Sequence, residues 1–144
     1  MKILFDTSVL VAAVVEPHPM HRRALPWLQR AKAEEFDFVV ASHTLAELYA
    51  VLTTLPVKPR ISPAVAWRLV HENVETSAKI VSLSPSDYRS TVKHMAELGL
   101  SGGMVYDALI ARAAQKSGAE RLLTFNADDF TRVWPDGKAV LFVP

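Results

Sequence analysis

Four acidic residues fall at places where a folded α/β chain could gather them. Asp6 closes the first apolar segment, in Ile3-Leu4-Phe5-Asp6-Thr7-Ser8. Glu47 follows Thr44-Leu45-Ala46, Asp107 lies early in a helical segment that begins near Met104, and Asp129 ends the run Thr124-Phe125-Asn126-Ala127-Asp128-Asp129. The chain has no cysteine, and none of its 5 histidines forms a pair at ligand spacing. Carboxylates without thiolates or imidazoles suit a hard divalent cation such as Mg²⁺ or Mn²⁺. Four carboxylates held close together would repel one another and resist ionising. A bound divalent cation cancels that repulsion and, by lowering the pKa of a water, can direct it at a phosphodiester.

The elements that must position these residues read as alternating strands and helices. Lys2 to Phe5 is a short buried strand, after which Thr7 or Ser8 can cap a helix to about Val15. Pro17-His18-Pro19 breaks that helix, and a second runs from about Met20 to Glu34, with Pro26 marking a kink or a later start. Phe38 to Ala41 is the second strand. Thr44-Leu45-Ala46-Glu47 has the pattern of a capping box and opens a helix to about Leu55. Ser62-Pro63 starts a helix to about Asn73, Lys79 to Leu83 is the third strand, and Ser84-Pro85 starts a helix that ends at Gly99. A helix follows from Met104 to Ser117, closed by Gly118. Arg121 to Thr124 is the fourth strand, Ala127 to Val133 a short helix, and Ala139 to Val143 a fifth strand. Such alternation implies a single α/β domain over residues 1–144, with a mainly parallel five-stranded sheet and helices on both faces.

In such sheets ligands bind beyond the carboxyl ends of the strands. Asp6 and Asp129 directly follow strands, whereas no strand immediately precedes Asp107. Each acid also has a plainer reading. Asp6 can be a turn residue, Glu47 the third residue of a capping box, Asp107 a partner for the helix dipole, and Asp128 or Asp129 an N-cap. Asp107 fits its plain reading least well, because Met104, Ala108, Ile110, Ala111 and Ala114 around it are small or apolar.

Four segments together resemble the PIN-domain ribonucleases, specifically the VapC-type toxins of bacterial toxin–antitoxin systems. They are Leu4-Phe5-Asp6-Thr7-Ser8-Val9-Leu10, Ser42 to Leu48, Gly103 to Ala111, and Leu122 to Phe130. The resemblance implies a three-layer α/β/α sandwich and Mg²⁺- or Mn²⁺-dependent endoribonuclease activity. It implies that Asp6, Glu47, Asp107 and Asp129 form the metal-binding acidic site, with Asp6 and Asp107 as direct ligands. Thr7 or Ser8, and Thr124, would orient carboxylates or water. Asn126 stands where relatives carry Asp or Asn, so it competes with Asp129 for the fourth position, as does Asp128. The resemblance further implies homodimers and a small inhibitory antitoxin. Val51, Leu52, Leu55, Trp67 and Val70 could form a partner surface or pack within the monomer.

For RNA phosphates the candidate contacts are Arg22 and Arg23 beside His21, Lys58 and Arg60 in the proline-rich loop, and Arg112 and Lys116 on the Asp107 helix. An ordinary solvated face explains each equally well. His43 and His21 read as surface or capping groups, and Trp27 and Trp67 as buried or helix-contact residues. The formal net charge of +1 neither requires nor excludes nucleic acid. The amino-terminal segment reaches Asp6 too soon for a signal peptide, and the longest apolar run, Val9 to Val15, is far short of a membrane span, so a cytoplasmic protein is expected. Two other functions compete. An aspartyl phosphatase would want a second Asp two residues after Asp6, where this chain has Ser8. A catalytically silent RNA-binding version of the same fold would not need all four acids.

Overall fold

Strand β1 (Lys2–Phe5) lays out the molecule by alternation. Ile3 and Phe5 enter one apolar cluster, while Leu4 enters a second on the opposite face. β2 (Asp37–Ala41) repeats the pattern, with Phe38 and Val40 on the first side and Val39 and Ala41 on the other. In β4 (Arg121–Leu123), Leu123 and Leu122 divide likewise. Burial on both faces is the condition of a parallel sheet. With β3 (Lys79–Val81) and β5 (Leu141–Phe142) at its edges, the sheet has the order β3-β2-β1-β4-β5, and every pairing is parallel. The computed structural model describes residues 1–144.

Helices α1 (Thr7–Val14), α2 (His21–Lys32), α3 (Ser42–Thr54) and α4 (Pro63–Val70) cover the first cluster. Helices α5 (Pro85–Leu98), α6 (Met104–Ser117) and α7 (Ala127–Val133) cover the second. The result is the expected three-layer α/β/α sandwich. No helix is long and apolar enough to cross a membrane.

Several helix ends are set by local chemistry. The Ser84 hydroxyl accepts from Asp87 N–H while the Asp87 carboxylate accepts from Ser84 N–H, a reciprocal cap for α5. The Ser62 hydroxyl accepts from Val65 N–H at the start of α4. Gly99 and Gly118 close α5 and α6 in the left-handed region, where a Cβ would be strained. Asp87 also accepts from Arg112 Nε and Nη2 at 3.1 and 3.0 Å and from Lys116 Nζ at 2.8 Å. Lys116 first, then the Ser84 backbone N–H, hold this carboxyl well below the usual carboxylate range.

Three expectations need correction. α3 begins at Ser42, directly after β2, so Thr44 lies inside the helix and makes no capping box. Its hydroxyl is buried without a partner. α2 starts at His21 and continues through the exposed Pro26, so the helix has no later start there. The edge strands are shorter than read from sequence: β3 stops at Val81, level with the end of β2 at Ala41, and β5 holds only Leu141 and Phe142.

The chain moves outward from β1 to β2 and β3, then returns to lay β4 and β5 on the other side. The strand order therefore reverses between β1 and β4, where ligands of open α/β sheets bind.

Candidate active site

Asp6 is the joint between β1 and α1. Its N–H donates to Leu123 O at 2.9 Å, continuing the β1–β4 pairing by one residue. Its side chain is only 2% exposed and turns back to cap α1. Oδ1 accepts from Thr7 N–H at 2.7 Å, and Oδ2 accepts from Ser8 Oγ at 2.8 Å and Thr124 Oγ1 at 2.9 Å. The cap expected of Thr7 or Ser8 thus belongs to Asp6, since the chain turns from strand to helix at that residue. The two hydroxyls are used twice. Ser8 Oγ accepts from Phe125 N–H at 3.0 Å, and Thr124 Oγ1 accepts from Asn126 N–H at 2.8 Å. This net ties the carboxyl ends of the two strands at the switch point around one carboxylate. The Thr7 hydroxyl, in contrast, is buried with no partner, and Thr7 holds Asp6 through its backbone alone.

Burial raises the pKa of Asp6, the hydroxyl donors work against that, and the charge of Glu47 adds to the rise. Asp107, in the first turn of α6, is pushed up to about 7, by burial first and then by the charges of Asp6, Asp129 and Glu47. Asp107 therefore feels the fields of the other three acids. Asp128 is not among the charges acting on Asp107. Glu47 stands in the second turn of α3, free of any capping duty. Its Oε2 lies 3.5 Å from His43 Nε2, one turn earlier. The His43 ring in turn stacks on Tyr106, with centroids 4.9 Å apart and planes 6° from parallel.

Asp6, Glu47, Asp107 and Asn126 line one cleft of about 400 Å³ together with Thr7, Ser8 and His18. No lysine or arginine lines it. Asp129 lies beside it, in a groove shared with Asn126 and Asp128 on the first turn of α7. As placed, no three acidic or imidazole side chains close into a ready-made cage around one ion. Mg²⁺ needs only one or two direct carboxylates, with waters for the rest. An all-oxygen donor set with one carboxyl driven toward neutrality fits such an ion.

The basic candidates scatter. Arg22, Lys58 and Arg60 are exposed and away from the cleft lining. Arg23 donates to Pro144 O at 2.7 Å, and its guanidinium lies over Phe125, a cleft residue, at 5.5 Å. Arg112 and Lys116 are committed to Asp87. Five residues past Asp107, Arg112 is turned about 140° around the helix, which points it at α5 rather than the cleft. His21 Nδ1 lies 2.8 Å from Ala12 O, a structural contact. Trp27 packs edge-on against Phe142, and Trp67 is 52% exposed, stacked only on His71. Of the apolar residues considered as a partner surface, Leu52 and Val70 are buried, and Val51 and Leu55 pack against the same cluster.

Sequence reasoning passed over His18, read only as part of a helix break. Its Nδ1 accepts from Met20 N–H at 3.0 Å, which places the ring proton on Nε2. A histidine fixed between two prolines in the turn after Asp6's helix was the available signal.

The family model of the PIN domain matches residues 3–134. The chain belongs to the PIN-domain family. Ribonuclease VapC40 of Mycobacterium tuberculosis is 35% identical to this PIN domain over 117 residues, 81% of each chain. Ribonuclease VapC27 of the same organism is 36% identical over 115 residues, 80% of this chain and 78% of that one. Among solved structures, VapC20 of Mycobacterium tuberculosis, a sarcin–ricin loop cleaving toxin, superposes with a TM-score of 0.70 at 16% identity, covering 88% of this chain and 92% of that one. VapBC2 of Rickettsia felis, bound to a DNA fragment from its promoter, gives 0.64 at 21% identity, covering 99% and 98%. These structural likenesses concern the fold; the two ribonucleases place the PIN domain with the VapC group.

Proposed function

We propose that this PIN domain is a divalent-cation-dependent endoribonuclease acting as the toxin of a toxin–antitoxin pair. The carrying observation is Asp107, raised to about 7 by burial and by three other carboxylates at the sheet's switch point. A cleft lined by acids and by no lysine or arginine would repel phosphate, so it calls for a cation to reconcile the two. Kinship to two named ribonucleases supports RNA as the substrate. Asp6 and Asp107 would hold Mg²⁺ or Mn²⁺, with Glu47, Asp129 and Asn126 acting directly or through water. When bound, the cation supplies Lewis acidity at the scissile phosphate and lowers the pKa of a water.

The chain's own residues do the rest. Ser8 and Thr124 keep Asp6 oriented and favour its ionised form. The His18 Nε2–H is available to donate to a phosphate oxygen in the cleft. Ser8, at the place where an aspartyl phosphatase would carry its second acid, is spent on Asp6 and Phe125. Structural neighbours in toxin–antitoxin complexes, VapBC2 and FitAB, support a small antitoxin as partner. Exposed Val65 and Trp67 on α4 offer a surface for a homodimer.

The test is cleavage of structured and single-stranded RNA by the isolated chain with Mg²⁺, Mn²⁺ or EDTA. Cleavage is expected with either metal, none with EDTA, and a loss of at least about 100-fold in Asp6→Ala and Asp107→Ala. Cutting that survives EDTA and both substitutions would sink the assigned site. A folded chain that binds RNA without cutting it would favour the silent RNA-binding reading.

A further inference from the structure

Tyr106 stands immediately before Asp107 on α6 and is 47% exposed, a large aromatic left in water beside the cleft. One face of its ring is covered by His43, in a stack at 4.9 Å and 6°. His43 lies on α3, one turn before Glu47, so the two rings join the two helices that deliver Glu47 and Asp107. The His43 side chain is only 25% exposed, which makes it the backing and leaves the outer face of Tyr106 to solvent. Gly102 and Gly103, which lead into α6, carry no side chain, and an added Cβ at either would meet nothing within 4 Å.

We propose that Tyr106, backed by His43, is a stacking platform for an unpaired nucleobase of RNA lying beside the phosphate in the acidic cleft. The proposal rests on the RNA-cleaving reading above and adds to it a base-binding subsite. Single-stranded RNA is recognised largely by stacking unstacked bases on aromatic side chains. A parallel two-ring stack is extended by a third flat ring at little cost, because the platform is already ordered. A protein segment would instead seek an apolar pocket, whereas this ring stands at a polar rim between helices that carry carboxylates. Stacking tolerates any base, so the platform sets the position of the strand rather than the sequence cut.

The test compares two fluorescein-labelled probes of about ten nucleotides, within the span that such sites cover. One is oligoadenylate and the other is the same ribose-phosphate chain without bases. Dissociation constants are measured by anisotropy in Ca²⁺ for the wild-type chain, Tyr106→Leu, Tyr106→Ala and Tyr106→Phe, with melting curves to establish that each is folded. The wild type is expected to prefer oligoadenylate. That preference should fall at least about five-fold in the Leu and Ala variants and return in the Phe variant. Binding of the abasic chain should be equal in all four. An unchanged preference, or equal losses for both probes, would overturn the platform. So would an unchanged preference accompanied by loss of a bound protein partner, which would assign the surface to protein docking. RNA cleavage by a protein whose base preference ignores Tyr106 would leave the nuclease reading standing alone. A Tyr106-dependent preference in a chain that never cuts RNA would support the platform and sink cleavage.

Discussion

Asp107 is the residue at which the site's electrostatics become measurable. Its carboxyl is raised from 3.8 to about 7 in the folded chain. Between those values the folded state holds a proton that the unfolded state has released. Stability of the metal-free protein therefore falls as pH rises from about 4 to about 7, then levels off. Asp107→Asn removes Asp107's share of this dependence and leaves that of Asp6, whose carboxyl is also raised. In EDTA the variant should melt above the wild type at pH 8 and near it at pH 5. Mg²⁺ or Mn²⁺ should raise the wild-type Tm at pH 8 and raise the variant's far less. A variant that melts below the wild type at pH 8 would mean that Asp107 is a stabilising ion in the free protein, contrary to its surroundings. Neither this behaviour nor the double use of Ser8 and Thr124 is visible in a list of residues: the first depends on Asp6, Glu47 and Asp129 being brought near Asp107, the second on Thr124 meeting Asp6 across 118 positions of chain.

At the scale of elements, α6 has two opposed duties. Its first turn carries Asp107 to the cleft, while Arg112 and Lys116 fasten its far side to Asp87 of α5. Apart from Asp87, the buried residues of α5 are only Thr91 and Met95, so this polar clamp carries much of the attachment. The folded-state pKa of Asp87 lies below its unfolded value, so its contribution is present above about pH 4 and is lost as pH falls further. Asp87→Asn should lower the Tm at pH 7 by several degrees. The difference from wild type should shrink as pH falls below about 4, because the unfolded wild-type chain takes up a proton there while the folded carboxylate stays ionised. An Asn variant equal to wild type at pH 7 would reduce the clamp to a surface ion pair. The helix boundaries themselves were largely legible. Ser62-Pro63, Ser84-Pro85, Gly99 and Gly118 act within a few residues of chain, so their chemistry is local. Ser42 was misplaced because β2 passes into α3 without a loop, and no local signal marks a join made by packing on both sides.

The whole molecule is one sheet shared by two cores. Consecutive residues of β1 serve different cores, Ile3 and Phe5 on one side and Leu4 on the other, so neither core can melt without the strand that holds the other. Trp27 reports on the first core and Trp134 on the second. Single-tryptophan chains keeping one or the other, with Trp67 replaced in both, should each show the same urea midpoint by fluorescence and by circular dichroism. Midpoints that differ between the two probes of one chain would show that the faces unfold separately.

The sequence by itself determined the class of fold and named the candidate acids, because alternating burial, capping residues and residue chemistry are carried by short stretches of chain. Only the tertiary structure decided which of those acids feel one another. It joined Asp6 to Thr124 at the switch point and set Asp107 in the fields of Asp6, Asp129 and Glu47. It turned Arg112 away from the cleft and set Tyr106 on His43. Each of these depends on strand order and helix rotation, and hence on contacts between residues far apart in the chain, which local periodicity cannot encode.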